Sequence, residues 1–354
     1  MDQDRLARMY EATRLTRQAR FAEAKAVLQQ DAGGGSHLPG IQALLSRLPT
    51  GLVSLPVSVA KPRRGPVLPG LSLELSFANA AGARTCKLYV PTGYSGQAVP
   101  LIVMLHGGTQ TADDFAAGTR MNELAERHGF LVAYPEQSRG ANPKGYWNWF
   151  QPKDQRRGGG EPSLIAGLTA QIADKYAVDA RRVYVAGFSA GGAMAAVMAA
   201  AYPDVYAAAG VHSGLPAGAA HDIPSAFTAM AQGATTHGSP PVPLIVFHGD
   251  SDATVNDVNA DCLVRAVLPD ARDRQSPVTT RARVPGGHAY TRRVYSDRDG
   301  TTLVEHWTIH QGGHAWSGGS PHGTYADPRG PDASAELVRF FAQHALRYAR
   351  RRAA

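Results

Sequence analysis

The sequence predicts an α/β fold built on a mostly parallel sheet, and three observations carry that prediction. Apolar runs of strand length recur along the chain, as in "PLIVMLH" (100–106), "FLVAYP" (130–135) and "PLIVFHGD" (243–250). Continuous rather than alternating hydrophobicity marks strands buried on both faces. Segments of helical period fall between these runs, and strands alternating with helices indicate a sheet covered on both sides. Finally, "RVYVAGFSAGGAMAAVMAAAYP" (182–203) passes from a β-branched run through a glycine-flanked serine into an Ala/Met/Val run that reads as helix.

The elements follow in order. Residues 1–30 read as one helix, with Leu6, Met9, Tyr10 and Thr13, then Phe21, Ala24, Val27 and Leu28 at three- and four-residue spacing. Its apolar face docks on its own domain by default, with a partner or lipid-like surface as the sharper alternative. Residues 31–70 carry "DAGGGSHLPG" and "AKPRRGPVLPG" and read as a linker, so 1–70 is set apart from a catalytic-type domain over 71–354. "LSLELSFA" and "TCKLYVP" are strands on either side of a turn at Gly82. A helical stretch over 112–128 separates "PLIVMLH" from "FLVAYP". A helix begins near Pro162 and runs to about Tyr176. "YAAAGVHSG" is a further strand before "PLIVFHGD". "TRRVYSDRDGTTLVEHWTIH" is a hairpin with Asp299-Gly300 in its turn, and "PDASAELVRFFAQHAL" closes the chain as a helix.

Composition narrows the class. The 354 residues are 44% hydrophobic and 18% charged, which supports a sizeable core and argues against global disorder. No apolar run approaches the roughly 18–20 residues of a membrane span. The net charge of +7 is spread over scattered surface arginines, without a nucleic-acid-binding motif. The concentrated group Arg347, Arg350, Arg351 and Arg352 suits a helix C-terminus. Two cysteines, Cys86 and Cys262, make no disulfide framework, and the N-terminal residues lack the apolar core of a secretory signal. The expectation from both is the cytoplasm, with two free thiols.

The serine is the informative residue. Gly-x-Ser-x-Gly between a buried strand and a helix is a nucleophile elbow, a turn tight enough to require small neighbours at Gly187 and Gly191. It exposes the Ser189 hydroxyl above a helix N-terminus, where developing negative charge is favoured. A hydroxyl needs a base to take its proton, and the base needs a carboxylate to orient it. In folds with this elbow the order is serine, acid, histidine. "PLIVFHGDSDATV" offers Asp250 and Asp252 just past a strand, and "QGGHAW" offers His314 on a late loop. The oxyanion needs two N–H donors: Ala190 follows the serine, and Gly108 in "MLHGGTQ" lies at the end of an early strand. His306 and His310 share one face of a strand, and His322 lies in a loop. A zinc site from these with His314 lacks supporting Cys or HExxH spacing, so neither metal nor cofactor is expected. "RRGGGEP" lacks a following Gly-Lys-Ser/Thr and reads as a loop, not a phosphate cradle.

The blocks "LHGGTQTADDFA", "WNWF", "DQRRGGGEPSLIAGL", "RVYVAGFSAGGAM", "VHSGLPAGAA", "HGDSDATV" and "GGHAWSGG" resemble, in this order, the catalytic domain of short-chain polyhydroxyalkanoate (PHB) depolymerases and related esterases over about residues 73–345. The resemblance implies an α/β-hydrolase fold and an acyl-ester substrate. It implies Ser189 as nucleophile, His314 as base and Asp252, rather than Asp250, as acid. Secreted members typically add a signal peptide, cysteine pairs and a polymer-binding module, and many carry Cys where this chain has Gly108. Those departures point to the intracellular type. A polyester chain calls for flat apolar walls, and Trp147, Trp149 and Trp316, in loop-like segments beside the motifs, are the candidates. The expected partners are a polyester or small-ester substrate and the surface of a polyhydroxyalkanoate granule, which the helix of residues 1–30 would touch. A feruloyl or acetylxylan esterase, and a non-catalytic granule-binding protein, are the competing readings.

Overall fold

The computed structural model describes residues 70–234, 242–268 and 276–347. The N-terminal helix and, Gly70 apart, the linker expected over 1–70 lie outside the described residues, as do the last arginines of the basic group. Twelve strands and seven α-helices fall within them: β1 (Leu71–Asn79), β2 (Gly82–Val90), β3 (Val99–Leu105), α1 (Ala112–Thr119), α2 (Met121–His128), β4 (Leu131–Pro135), α3 (Gly160–Lys175), β5 (Val178–Phe188), α4 (Ala190–Ala201), β6 (Ala208–His212), α5 (Ile223–Gln232), β7 (Leu244–Gly249), α6 (Val258–Val267), β8 (Val278–Arg283), β9 (Ala289–Ser296), β10 (Thr302–Ile309), the short pair β11 (Trp316–Ser317) and β12 (Ala326–Asp327), and α7 (Ala333–Phe341).

Ten strands form one sheet in the order β1-β2-β4-β3-β5-β6-β7-β10-β9-β8. The six central strands, β4 to β10 in that order, pair in parallel. Antiparallel hairpins, β1–β2 and β8–β9–β10, finish the two edges. Every residue of β4, β6 and β7 is buried, as continuous apolar runs require when helices cover both faces. The result is the expected α/β-hydrolase architecture. α4 is buried along nearly its whole length beneath the sheet centre, which its small Ala and Gly side chains permit by close approach. α7 closes the other face, with Phe341 stacked on Tyr184 at 4.7 Å.

The differences from the expected elements are local. The single helix expected over 112–128 is two, because Arg120 takes a left-handed conformation (φ 54°) that ends α1 and begins α2. α3 starts at Gly160, two residues before Pro162. α5, α6 and β8 were not expected. β8 is exposed along its length, so burial imprints no pattern on it.

The elbow depends on backbone contact. A Cβ on Gly191 would stand 2.1 Å from the Leu105 carbonyl oxygen and 2.4 Å from that of His106, and one on Gly187 would meet Gly191's own carbonyl at 2.2 Å. Neither carbonyl can move without disturbing β3. Gly191→Ala is therefore expected to cost about 2–4 kcal/mol of unfolding free energy in urea titration. A change within about 0.5 kcal/mol would show that the turn has slack.

Candidate active site

Ser189 follows the last residue of β5 with φ 54° and ψ −119°, a conformation that non-glycine residues rarely adopt. Its amide donates to the His212 carbonyl at 2.9 Å, and its own carbonyl accepts from Ala193 at 2.9 Å. The half-buried side chain points to the loop after β10. There His314 Nε2 lies 2.9 Å from Ser189 Oγ. His314 Nδ1 lies 2.7 Å from Asp252 Oδ2. An ionised carboxylate only accepts, so the imidazole carries its proton on Nδ1 and offers the Nε2 lone pair to the serine hydroxyl.

Asp252 sits on the loop after β7 with a fully buried side chain. Its Oδ1 accepts from the amides of Thr254 (2.8 Å) and Val255 (2.9 Å). His248 Nε2 lies 3.5 Å from Oδ2 and 2.9 Å from the Val255 carbonyl oxygen. Burial opposes ionisation here. Hydrogen bonds from His248 and His314, the charge of His314 and the Val255 amide outweigh it, and hold the carboxyl well below the usual carboxylate range.

The neighbouring aspartate has a different partner. Asp250 Oδ2 meets His310 Nδ1 at 2.7 Å, and His310 Nε2 meets Thr291 Oγ1 at 2.8 Å. This second hydroxyl–imidazole–carboxylate row has its hydroxyl buried within β9, where Thr291 is 2% exposed and no substrate carbonyl can reach it. His306 is buried in β10, 3.9 Å from Asp261, and His322 lies on the loop before β12.

The two residues expected to donate to an oxyanion lie at the start of α4 and in the loop after β3. Ala190 is the first residue of α4, whose leading amides have no intrahelical acceptor. In the loop after β3, the Gly107 amide donates to Gln110 Oε1 at 2.9 Å and that of Thr109 to the Lys144 carbonyl at 3.1 Å. Between them, the Gly108 amide has no partner among the described residues. The Tyr146 ring lies directly over Gly108, where a Cβ would stand 2.0 Å from it. This chain thus fills with an aromatic ring the room a side chain at 108 would take.

The three tryptophans are placed differently from the expectation of cleft walls. Trp147, Trp149 and Trp316 are 0%, 5% and 2% exposed. Trp147 donates Nε1–H to the His106 carbonyl at 3.1 Å and so braces the loop of Gly108 from behind. Trp316 packs edge-on to Phe115 and stacks on His212, and Trp149 packs edge-on to Phe150. Exposed aromatic surface comes instead from Tyr146, over Gly108, and from Tyr325, whose ring lies 6.5 Å from that of His314.

Other residues support the site: the sequence leaves Phe188, in the elbow, between cleft and core, while His106, His212 and His248 escape it. Phe188 packs its ring 4.8 Å from the His314 ring. His212, fully buried, accepts the Ser317 amide on Nε2 at 2.9 Å, and burial first, then its neighbours His248 and His314, push its pKa well down. It therefore serves as a neutral spacer under the histidine loop. The signal for His106, His212 and His248 is position: each stands at or just beyond the C-terminal end of a parallel strand, where site residues of α/β sheets collect.

Comparisons with known proteins bear on the family and the fold. A family profile described as Esterase PHB depolymerase matches residues 84–272. Poly(3-hydroxyalkanoate) depolymerase C of Paucimonas lemoignei is 36% identical over 255 residues, 68% of this chain and 58% of that protein. A probable acetylxylan esterase A of Aspergillus fumigatus is 36% identical over 146 residues, 40% of this chain and 38% of that protein. The chain thus spans about half the length of these curated relatives. The solved acetyl xylan esterase from Aspergillus awamori shares the fold, with TM-score 0.59 at 19% identity over 77% of this chain and 100% of that one.

The two aspartates give the site its sharpest test. Asp252→Asn is expected to lower kcat on a soluble ester by roughly 10³-fold or more, since the orienting carboxylate fixes the imidazole tautomer. Asp250→Asn should stay within about threefold; the opposite ranking would move the acid to Asp250. Stability provides a second readout. The folded pKa of Asp252 lies below its unfolded value, so its contribution is complete above a carboxylate's ordinary pKa of about 3.9 and is lost as pH falls through the folded value. Asp252→Asn should therefore destabilise the protein more near pH 7 than near pH 3, and an equal loss at both would contradict the charge argument.

Proposed function

The chain belongs to the esterase PHB depolymerase family, and on that premise we propose that it is a serine carboxylic ester hydrolase that cleaves the ester bonds of poly(3-hydroxybutyrate) or its oligomers. The observation that carries this reading is the continuous hydrogen-bonded row Ser189–His314–Asp252, with links of 2.9 and 2.7 Å, standing on a strained turn. Ser189 Oγ attacks the ester carbonyl carbon as its proton passes to His314 Nε2. The oxyanion accepts N–H from Gly108 and Ala190, each donor of this kind being worth roughly 10²–10³ in rate. His314 returns the proton to the departing alcohol and leaves an acyl group on Ser189. Water then attacks the acyl carbon, His314 takes its proton, and the acid departs as Ser189 Oγ recovers a hydrogen. Asp252 stays ionised and stabilises the imidazolium that forms in both halves.

The exposed rings of Tyr146 and Tyr325 suit an uncharged, methyl-bearing polyester. Two buried free thiols suit a reducing compartment, so the reading places the enzyme in the cytoplasm against polyester granules. Among the described residues no helix is long and apolar enough to cross a membrane. One observation favours a second substrate class, esters of carbohydrates. A cavity of about 320 Å³ beside the Gly108 loop, whose lining does not include Ser189 or His314, has polar side chains in its wall, among them Ser76, Thr111, Glu136 and Ser138, which would pair with a hydroxyl-rich alcohol.

Incubation with purified amorphous poly(3-hydroxybutyrate) granules, crystalline film and acetylated xylan separates the two. The proposal expects hydroxybutyrate oligomers from granules, faster than from film, and Ser189→Ala lower by at least 10³-fold in a folded protein. Acetate released from xylan with inert granules would overturn the polyester reading in favour of the second. A Ser189→Ala protein with more than a tenth of wild-type activity would overturn both.

A further inference from the structure

One buried charge takes no part in the chemistry above. Glu161, in the first turn of α3, is 3% exposed, and Arg84 on β2, which it pairs with, is 5% exposed. Glu161 Oε1 accepts from Arg84 Nη2 at 3.0 Å, from Asn148 Nδ2 at 2.8 Å and from Gln137 Nε2. Its Oε2 accepts from the Asn148 amide at 2.7 Å. A buried ion pair adds little net stability over apolar side chains of the same volume, because desolvation offsets the attraction. What it fixes is geometry.

The two residues held by Glu161, Gln137 and Asn148, bracket a segment whose contacts converge on the Gly108 loop. The Gln137 amide donates to His106 Nε2 at 3.0 Å, and Gln137 Nε2 also donates to the Tyr146 carbonyl at 2.8 Å. Trp147 donates to the His106 carbonyl, and the Lys144 carbonyl accepts from Thr109. The Tyr146 ring covers Gly108 itself. The residues on both sides of the Gly108 amide are therefore tied to a segment that Glu161 anchors at each end.

Resting on the esterase reading, we propose that Glu161 is a positioning residue: acting through Gln137, Asn148 and the segment between them, it holds the Gly108 amide where the oxyanion forms. Its contribution should appear in the transition state rather than in ester binding.

The test compares wild type with Glu161→Gln and with Asn148→Ala, which keeps the Arg84–Glu161 pair and carries the test if the first variant does not fold. Active sites are counted with a fluorophosphonate, and turnover is measured on 4-nitrophenyl butyrate. Affinity is measured for an alkyl trifluoromethyl ketone, which adds a serine hydroxyl to give a tetrahedral oxyanion. The expected result is kcat per titrated site at least tenfold lower, KM within about threefold, and ketone affinity weakened by the same factor as kcat/KM. Folded variants with kcat and ketone affinity within twofold of wild type would overturn the inference. So would a loss of activity matched by a loss of titratable sites, or a fall in kcat with ketone affinity unchanged. A wild-type protein that neither turns over the ester nor takes the fluorophosphonate would bring down the esterase reading and the inference with it.

Discussion

The turn at Ser189 is the constraint around which the rest of the site is arranged. A side-chain-bearing residue held at φ 54° and ψ −119° costs on the order of 1–3 kcal/mol and persists only where its surroundings leave no alternative. Here the surroundings are backbone. Gly191 lies against the carbonyls of Leu105 and His106, and the Ser189 amide is taken by the His212 carbonyl. The elbow is thus clamped between β3 and β6, the two strands that flank β5 in the sheet. The small side chains of α4 follow from the same requirement, since bulkier ones would push the helix away and relax the turn.

The strain at Ser189 has counterparts at the same end of the sheet. Thr109 after β3, Ser213 after β6 and Gln311 after β10 also take positive φ without being glycine. Each redirects the chain at a strand end. Buried histidines fill the spaces between these turns: His106 under the Gly108 loop, His212 under the His314 loop, and His248 beside Asp252. Burial lowers the pKa of His106 and, further, that of His212. Neutral imidazoles of this kind satisfy loop amides and add no second positive charge beside His314.

Much of this arrangement was legible in the sequence, for identifiable reasons. Strands buried on both faces write continuous apolar runs, so β3, β4, β5 and β7 were readable, and with them the loops that follow. The elbow was readable because its steric demand selects glycine at 187 and 191. The residues alone left Asp250 and Asp252 open and the family resemblance favoured Asp252; each has a histidine within reach, and three-dimensional placement separates a hydroxyl facing a cleft from one buried in β9. The tryptophans misled for a related reason. Proximity in sequence to a motif does not say which side of a loop a ring faces, and all three brace the site from behind or pack in the core. Glu161 carried no signal, since a buried carboxylate in a glycine-rich stretch looks the same as a solvated one. β8 was missed because it is exposed along its length and burial imprints no pattern on it; α5 and α6, which do carry buried positions at helical spacing, were passed over.

The central claim is that Ser189 is the nucleophile that the strained turn presents to its substrate. The most direct test is peptide mapping by mass spectrometry after brief exposure of the folded protein to a fluorophosphonate. The account predicts a single adduct on Ser189, formed much more slowly when His314 is replaced by Gln and absent from Ser189→Ala. An adduct on another residue, or labelling unaffected by loss of His314, would contradict it.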